Sequence, residues 1–129
     1  MEEIENDFMK FWIEDGILFS KYKKDTVLDL KTVVELIEMR EKISVEENQY
    51  WLYDLTRVKN NTNEARYYVG EHGHNLLNAC AIIVDSSVTK FMFKSYEKFK
   101  SPDFPFAAFT DKDEAVKWLS EIKAKNELV

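Results

Sequence analysis

A chain of 129 residues suits a single domain, residues 1–129, and can bury roughly two thirds of the surface its unfolded form exposes. Its 45% hydrophobic, 33% charged and 14% aromatic residues exclude a disordered chain, because the aromatic side chains supply large burial throughout. A net charge of -6 excludes the basic footprint of a general nucleic-acid binder, and no apolar run reaches the length of a membrane span. Cys80 is the only cysteine, so no internal disulfide can form and a reducing compartment is expected. The acidic start Met1-Glu2-Glu3-Ile4-Glu5-Asn6-Asp7 is the opposite of a signal peptide's basic n-region, and a cytoplasmic protein is expected. The 3 glycines are not clustered, which excludes Walker and dinucleotide phosphate cradles.

The runs Phe8 to Glu14 and Ile17 to Tyr22 read as strands joined by Asp15-Gly16. Asp-Gly between such runs predicts an antiparallel hairpin, since a type I′ turn needs positive φ at both central positions. Asp29 is placed to cap a helix to about Ile43, with Leu30, Val33, Val34 and Ile37 on its apolar side. Ser44 to Asn48 connects it to a central strand, Gln49 to Leu55. Trp51, Tyr53 and Leu55 share one face of that strand and Leu52 takes the other, so the strand is expected inside the sheet.

A polar loop, Arg57 to Thr62, follows, and Asn61 with Glu64 has capping-box spacing. The helix behind it carries Ala65, Tyr68, Val69, His72 and Leu76 along one stripe and yields near Asn78 to the buried strand Cys80-Ala81-Ile82-Ile83-Val84, ending at Asp85. Ser86 or Ser87 caps a further helix burying Val88, Phe91, Met92, Tyr96 and Phe99, which Ser101-Pro102-Asp103 breaks. Phe104 to Phe109 is the last strand, with Pro105 near its start. Asp111 and Glu114 open a short C-terminal helix carrying Ala115, Trp118, Leu119 and Ile122. The order β-β-α-β-α-β-α-β-α predicts an α/β domain with a mixed, mostly parallel sheet and right-handed crossovers.

Ligands of open α/β sheets gather at the carboxyl ends of strands. Asp54, Thr56, Asp85, Ser86, Thr110 and Asp111 fall at such ends; Ser86 and Asp111 read as helix caps, whereas Asp54 and Thr56 cap nothing. A phospho-acceptor role for Asp54 lacks its companion acids, because Glu14 and Asp15 lie in a hairpin. His72 and His74 point apart on a helix and share no metal, and His72 reads as an interior histidine. Cys80 reads as a small core residue. Lys90, Lys94 and Lys98 form a ridge read as a solvated helix face. No catalytic constellation stands out, and neither a metal nor a cofactor is expected.

Asp54-Leu55-Thr56, together with Ala81-Ile82-Ile83-Val84, Pro105-Phe106 and the ending Phe109-Thr110-Asp111 … Glu114-Ala115-Val116-Lys117-Trp118-Leu119, resembles the STAS / SpoIIAA-like superfamily of anti-sigma-factor antagonists. The chain is more closely similar to its stand-alone bacterial branch related to STAS/SEC14 domains. The resemblance implies a SpoIIAA-like fold and a regulatory role. In such antagonists a serine in an Asp-Ser-Ser-Gly loop is phosphorylated; here Lys59, Asn60, Asn61 and Thr62 occupy that loop, and Asn61 stands in the serine's place. Thr62 and Thr56 are the hydroxyls that remain for a phosphate.

The expected function is therefore a non-enzymatic regulatory or protein-interaction domain. Its contact residues would be Asp54, Thr56, Arg57, Asn60, Asn61, Thr62 and Asp85, with a protein partner or a second copy as binding partner. The alternative is a binder of a small apolar or lipid-like ligand, suggested by the aromatic load and the SEC14 kinship. An interaction domain should show an exposed apolar patch near the loop, and a ligand binder an apolar cavity.

Overall fold

The structure is a computed structural model and describes residues 2–43, 49–86 and 104–128. The expected connection Ser44 to Asn48, the helix beyond Ser86 with its lysine ridge Lys90, Lys94 and Lys98, and the break at Ser101-Pro102-Asp103 lie outside these residues.

The chain opens with β1 (Glu3–Glu5), β2 (Met9–Glu14) and β3 (Ile17–Tyr22), an antiparallel meander. Asp15 (φ 53°) and Gly16 (φ 77°) form the tight turn between β2 and β3, and Glu14 pairs with Ile17 across it. Both central residues adopt the left-handed region, so the Asp-Gly signal gives the hairpin by local chemistry alone. β1 carries no pattern visible in the sequence, being 3 residues long.

Next come β4 (Thr26–Leu28), α1 (Leu30–Ile43), β5 (Gln49–Asp54), β6 (Val58–Asn61), α2 (Asn63–His72), β7 (Leu77–Ile83), β8 (Phe106–Phe109) and α3 (Lys112–Glu127). The main sheet has the order β1-β2-β3-β5-β7-β8, and the β3–β5, β5–β7 and β7–β8 pairs are parallel. β4 and β6 form a separate two-stranded parallel ribbon.

The sheet is covered on both faces. Trp51, Tyr53, Leu55, Cys80 and Ile82 meet Val33 and Leu36 of α1 and Ala65 of α2 on one side. Leu52, Ala79, Ala81 and Ile83 meet Ala115 and Leu119 of α3 on the other. The expected alternation along β5 is thus present, with Trp51, Tyr53 and Leu55 facing the first cluster and Leu52 the second.

Local capping explains the helix starts. The Asp29 carboxylate accepts from the Thr32 N–H at 2.9 Å at the start of α1. Asp111 accepts from the Asp113 N–H at 2.8 Å and caps α3, which runs 16 residues rather than the short helix expected.

Four expectations need correction. The segment expected as a loop from Arg57 to Thr62 holds strand β6, whose Asn60 and Asn61 pair with Val27 and Leu28. The cap of α2 is Thr62, not Asn61: the Thr62 hydroxyl accepts from the Ala65 N–H at 3.1 Å. α2 ends at His72 because Gly73 caps it, so Leu76 lies beyond the helix with φ 67°. His72 is exposed and lies against Tyr68 with the rings tilted at 45°, and is no interior histidine. Among the described residues, no helix is long and apolar enough to cross a membrane.

Candidate functional site: the carboxyl edge, helix α2 and the cavity beneath it

Asp54 ends β5 and closes its own turn. Its Oδ1 accepts from the Thr56 N–H at 2.9 Å and from the Thr56 hydroxyl at 2.7 Å. The pair that capped no helix in the sequence is therefore an Asx turn. Arg57 points away from it: its Nε donates to the Asp25 carboxylate at 3.3 Å, and its Nη1 to the Lys23 carbonyl at 3.3 Å. Asp85 is exposed two residues past Ile83, which is the register partner of Asp54, so both acids sit at neighbouring strand ends.

The ribbon and the start of α2 hold the remaining candidates. Asn60 Oδ1 accepts from the Asn61 N–H at 2.8 Å, and Asn61 Oδ1 accepts from Arg66 Nη1 at 2.7 Å. Arg66 Nη2 also donates to Asn63 Oδ1. The structure brings Asp54 to Thr56 and Asn61 to Arg66. It turns Arg57 toward Asp25 and spends the Thr62 hydroxyl on the helix cap. Among the described residues, no three His, Cys, Asp or Glu side chains gather as a metal site.

Among the described helices α2 is the least embedded, with Ala65 its only buried residue. Its outer side carries the exposed polar residues Asn63, Glu64, Glu71 and His72, and among them Tyr67 is 64% exposed, with Leu30, at the start of α1, 39% exposed beside it. Leu30 and Tyr67 share a shallow depression with Asn63, Glu64, Tyr68, Glu71 and His72. Val27, 49% exposed on β4, lies opposite Asn60.

Under the inner side of α2 lies a cavity of about 120 Å³. α1 lines it with Val33, Leu36 and Ile37, and α2 with Ala65, Val69 and Gly70. The sheet contributes Trp51, Tyr53, Cys80 and Ile82, and Phe104 and Phe106 stand at the β8 end. The polar side chains on its wall include Asn61, Arg66 and His74, the last edge-on to Phe104 at 5.3 Å between centroids.

The chemistry of the cavity floor is inert. Burial pushes the Cys80 thiol up to about 12, opposed by the Arg40 charge, which keeps it protonated and unreactive. Tyr53 stacks on Trp51 with ring centroids 4.6 Å apart, and its hydroxyl meets that of Tyr22 at 2.5 Å. Burial raises both phenols above their ordinary value. Trp51 Nε1 donates to the Ser20 hydroxyl at 2.9 Å. These polar atoms turn to one another rather than to a reacting group.

Arg40, Arg66 and Gly70 are the residues that sequence reasoning did not single out, and His74 was considered there only as a metal partner of His72. Gly70 alone left a signal, as a glycine inside a helical pattern.

No curated protein matches the chain. Among solved structures, an uncharacterized protein of the DUF3478 family with a SpoIIAA-like fold, from Shewanella loihica PV-4, superposes with a TM-score of 0.65 at 17% identity, covering 90% of this chain and 98% of that one. The likeness shows a SpoIIAA-like fold, as the resemblance implied. A family model described as a domain of unknown function, DUF7793, matches residues 11–123, and the chain belongs to that family.

Proposed function

We propose that this chain is a non-enzymatic regulatory or protein-interaction domain of the cytoplasm, which docks a partner protein through the β4–β6 ribbon and the outer side of α2. The carrying observation is the apolar surface there: Leu30 and Tyr67 in one depression, with Val27 on the adjoining ribbon. Exposed apolar groups that cluster beside polar ones are the surface signature of a binding site. Asn60 and Asn61 lie on the same ribbon, so the expected contact loop keeps its place as a strand. Glu64 and Glu71 edge the depression, which favours a partner with a basic rim. Asp54 and Thr56 act by fixing the turn ahead of β6.

The test is gel filtration of a gentle extract from the protein's own cells. The native chain should elute well above its monomer size, and Leu30→Ser with Tyr67→Ser should return it to monomer without changing its melting temperature. Elution of both proteins at monomer size would contradict the reading.

A second reading has its own observation. The apolar cavity between α1, α2 and the sheet favours a small apolar ligand, on its own or as a regulator of the docking surface on the other side of the same helix.

A further inference from the structure

Lys10 and Lys21 stand directly opposite each other across β2 and β3, on the face that also carries the opposed pair Trp12 and Phe19. The Trp12 and Phe19 rings are stacked, 7° apart in plane, with centroids separated by 5.3 Å. The ammonium groups of Lys10 and Lys21 each lie 5.8 Å from the Trp12 centroid. Lys112, the first residue of α3, brings a third to 5.9 Å from Trp12 and 5.4 Å from Phe19. Three positive charges thus converge on one half-buried indole, in a chain with 24 acidic residues against 18 basic ones.

Folding alone does not favour charges in these places. Like charges directly opposite on neighbouring strands repel, and a cation in the first turn of a helix opposes its dipole. Glu3 answers Lys10 at 3.7 Å. Among the described residues, Lys21 and Lys112 take part in no ion pair, and both are exposed. The cluster is therefore an aromatic platform with a basic rim, suited to an acidic surface that itself offers apolar groups. The depression of Leu30 and Tyr67 on α2, edged by Glu64 and Glu71, is such a surface. Trp12 and Phe19 pack on the face of the sheet that α3 covers, whereas α2 lies on the opposite face. One chain cannot bring its own two patches together, but two copies can.

We propose that the partner docking on α2 is a second copy of this chain, which seats its Trp12 platform against Leu30 and Tyr67 and its lysines against Glu64 and Glu71. The inference rests on the reading of α2 as the docking surface. Because unlike patches meet, the contact is head-to-tail. Each pair leaves one patch of each kind free for the next copy, so assembly grows with concentration unless a ring closes. Added salt weakens the contact, because the charges at its rim are screened.

Light scattering of the purified full chain at low salt should give a mass above the monomer that rises with concentration and falls as salt is added. Two variants separate the patches: one carries Lys10→Ser, Lys21→Ser and Lys112→Ser, the other Leu30→Ser and Tyr67→Ser. Each alone should be a monomer. Mixed in equal amounts they should form a single 1:1 complex and nothing larger, since one intact patch of each kind remains. A native chain that stays monomeric when pure, but is held in a larger complex in its own cell extract, would overturn the second copy as partner and leave the docking surface standing. Association that survives in the lysine variant, or a mixture that stays monomeric, would overturn the head-to-tail contact. Should the triple variant not fold, Lys112→Ser alone, at an exposed helix start, should weaken association about tenfold, and unchanged association would count against the proposal.

Discussion

Arg40 Nη1 donates to Gln49 Oε1 at 2.6 Å, and Gln49 Nε2 donates back to the Arg40 carbonyl at 3.2 Å. This reciprocal pair ties α1 to the first residue of β5. The same guanidinium reaches the Gly73 carbonyl at 3.2 Å, the Asn75 carbonyl at 2.9 Å and Asn75 Oδ1 at 3.1 Å. Those carbonyls follow the end of α2, where the helix dipole is negative, so a cation replaces the water they would otherwise need. Arg40 is 0% exposed and lies over the Trp51 ring at 5.1 Å. The turn it holds includes Leu76 in the left-handed region. Arg40 is thus a structural cation that fixes one end of α2.

Removing it should be costly. Arg40→Ala strips the donor from several buried carbonyls at once and should destabilise the fold by about 3–5 kcal/mol. Arg40→Lys should cost about 2 kcal/mol, because an ammonium cannot reproduce the planar fork. Urea denaturation measures both.

Gly70 inside α2 and Gly73 at its C-cap should respond in opposite senses. Gly70→Ala adds a methyl into open space and should stabilise by up to about 1 kcal/mol through helix propensity. Gly73→Ala drives a Cβ against the Val69 carbonyl and should destabilise by about 1–2 kcal/mol. Thermal melts of the two variants decide, and equal effects would contradict the open space at Gly70.

Tyr22 and Tyr53 act as a unit. Tyr53→Phe leaves the buried Tyr22 hydroxyl without the partner it meets at 2.5 Å and should cost about 1–2 kcal/mol. The double change to Phe should cost less than the two single changes together, since no hydroxyl is then stranded.

Alkaline stability follows from the same burial. Cys80 is raised from an ordinary 9.0 to about 12, and the two phenols rise from an ordinary 10.0. The folded state keeps protons that the unfolded chain releases. The contribution is therefore complete below the unfolded values and is lost as pH rises through the folded ones. Denaturation free energy should be level near neutral pH and decline above about pH 9, by up to about 1.4 kcal/mol per pH unit for each group. Cys80→Ala should remove the earliest part of that decline. Urea titrations at several alkaline pH values check it.

The sequence was most legible where local chemistry decides. Asp15-Gly16 specifies its turn whatever surrounds it, and the alternation of Trp51, Leu52 and Tyr53 follows from a sheet covered on both faces. β6 was not legible, because Lys59, Asn60 and Asn61 are weak strand formers held in place by β4, far away in the chain. Three adjacent capping residues, Asn61, Thr62 and Asn63, hid which one starts α2. The stripe from Ala65 to Leu76 overran the true helix because Gly73 ends it. The cavity and the Arg40 network are non-local by nature: Arg40 finds its carbonyls 33 and 35 residues away in sequence. For the cavity, the sequence offered only the aromatic load and the SEC14 kinship, which suggest an apolar ligand without saying where it would sit.

Site-specific photo-crosslinking tests most directly whether α2 is the docking element. A benzophenone side chain placed at Tyr67, on the exposed side of α2, is compared in the protein's own cells with one at Lys117, exposed on α3. Position 67 should give a discrete protein adduct that disappears with Leu30→Ser, and position 117 should give none. No adduct at position 67, or the same adducts from both positions, would contradict docking through α2.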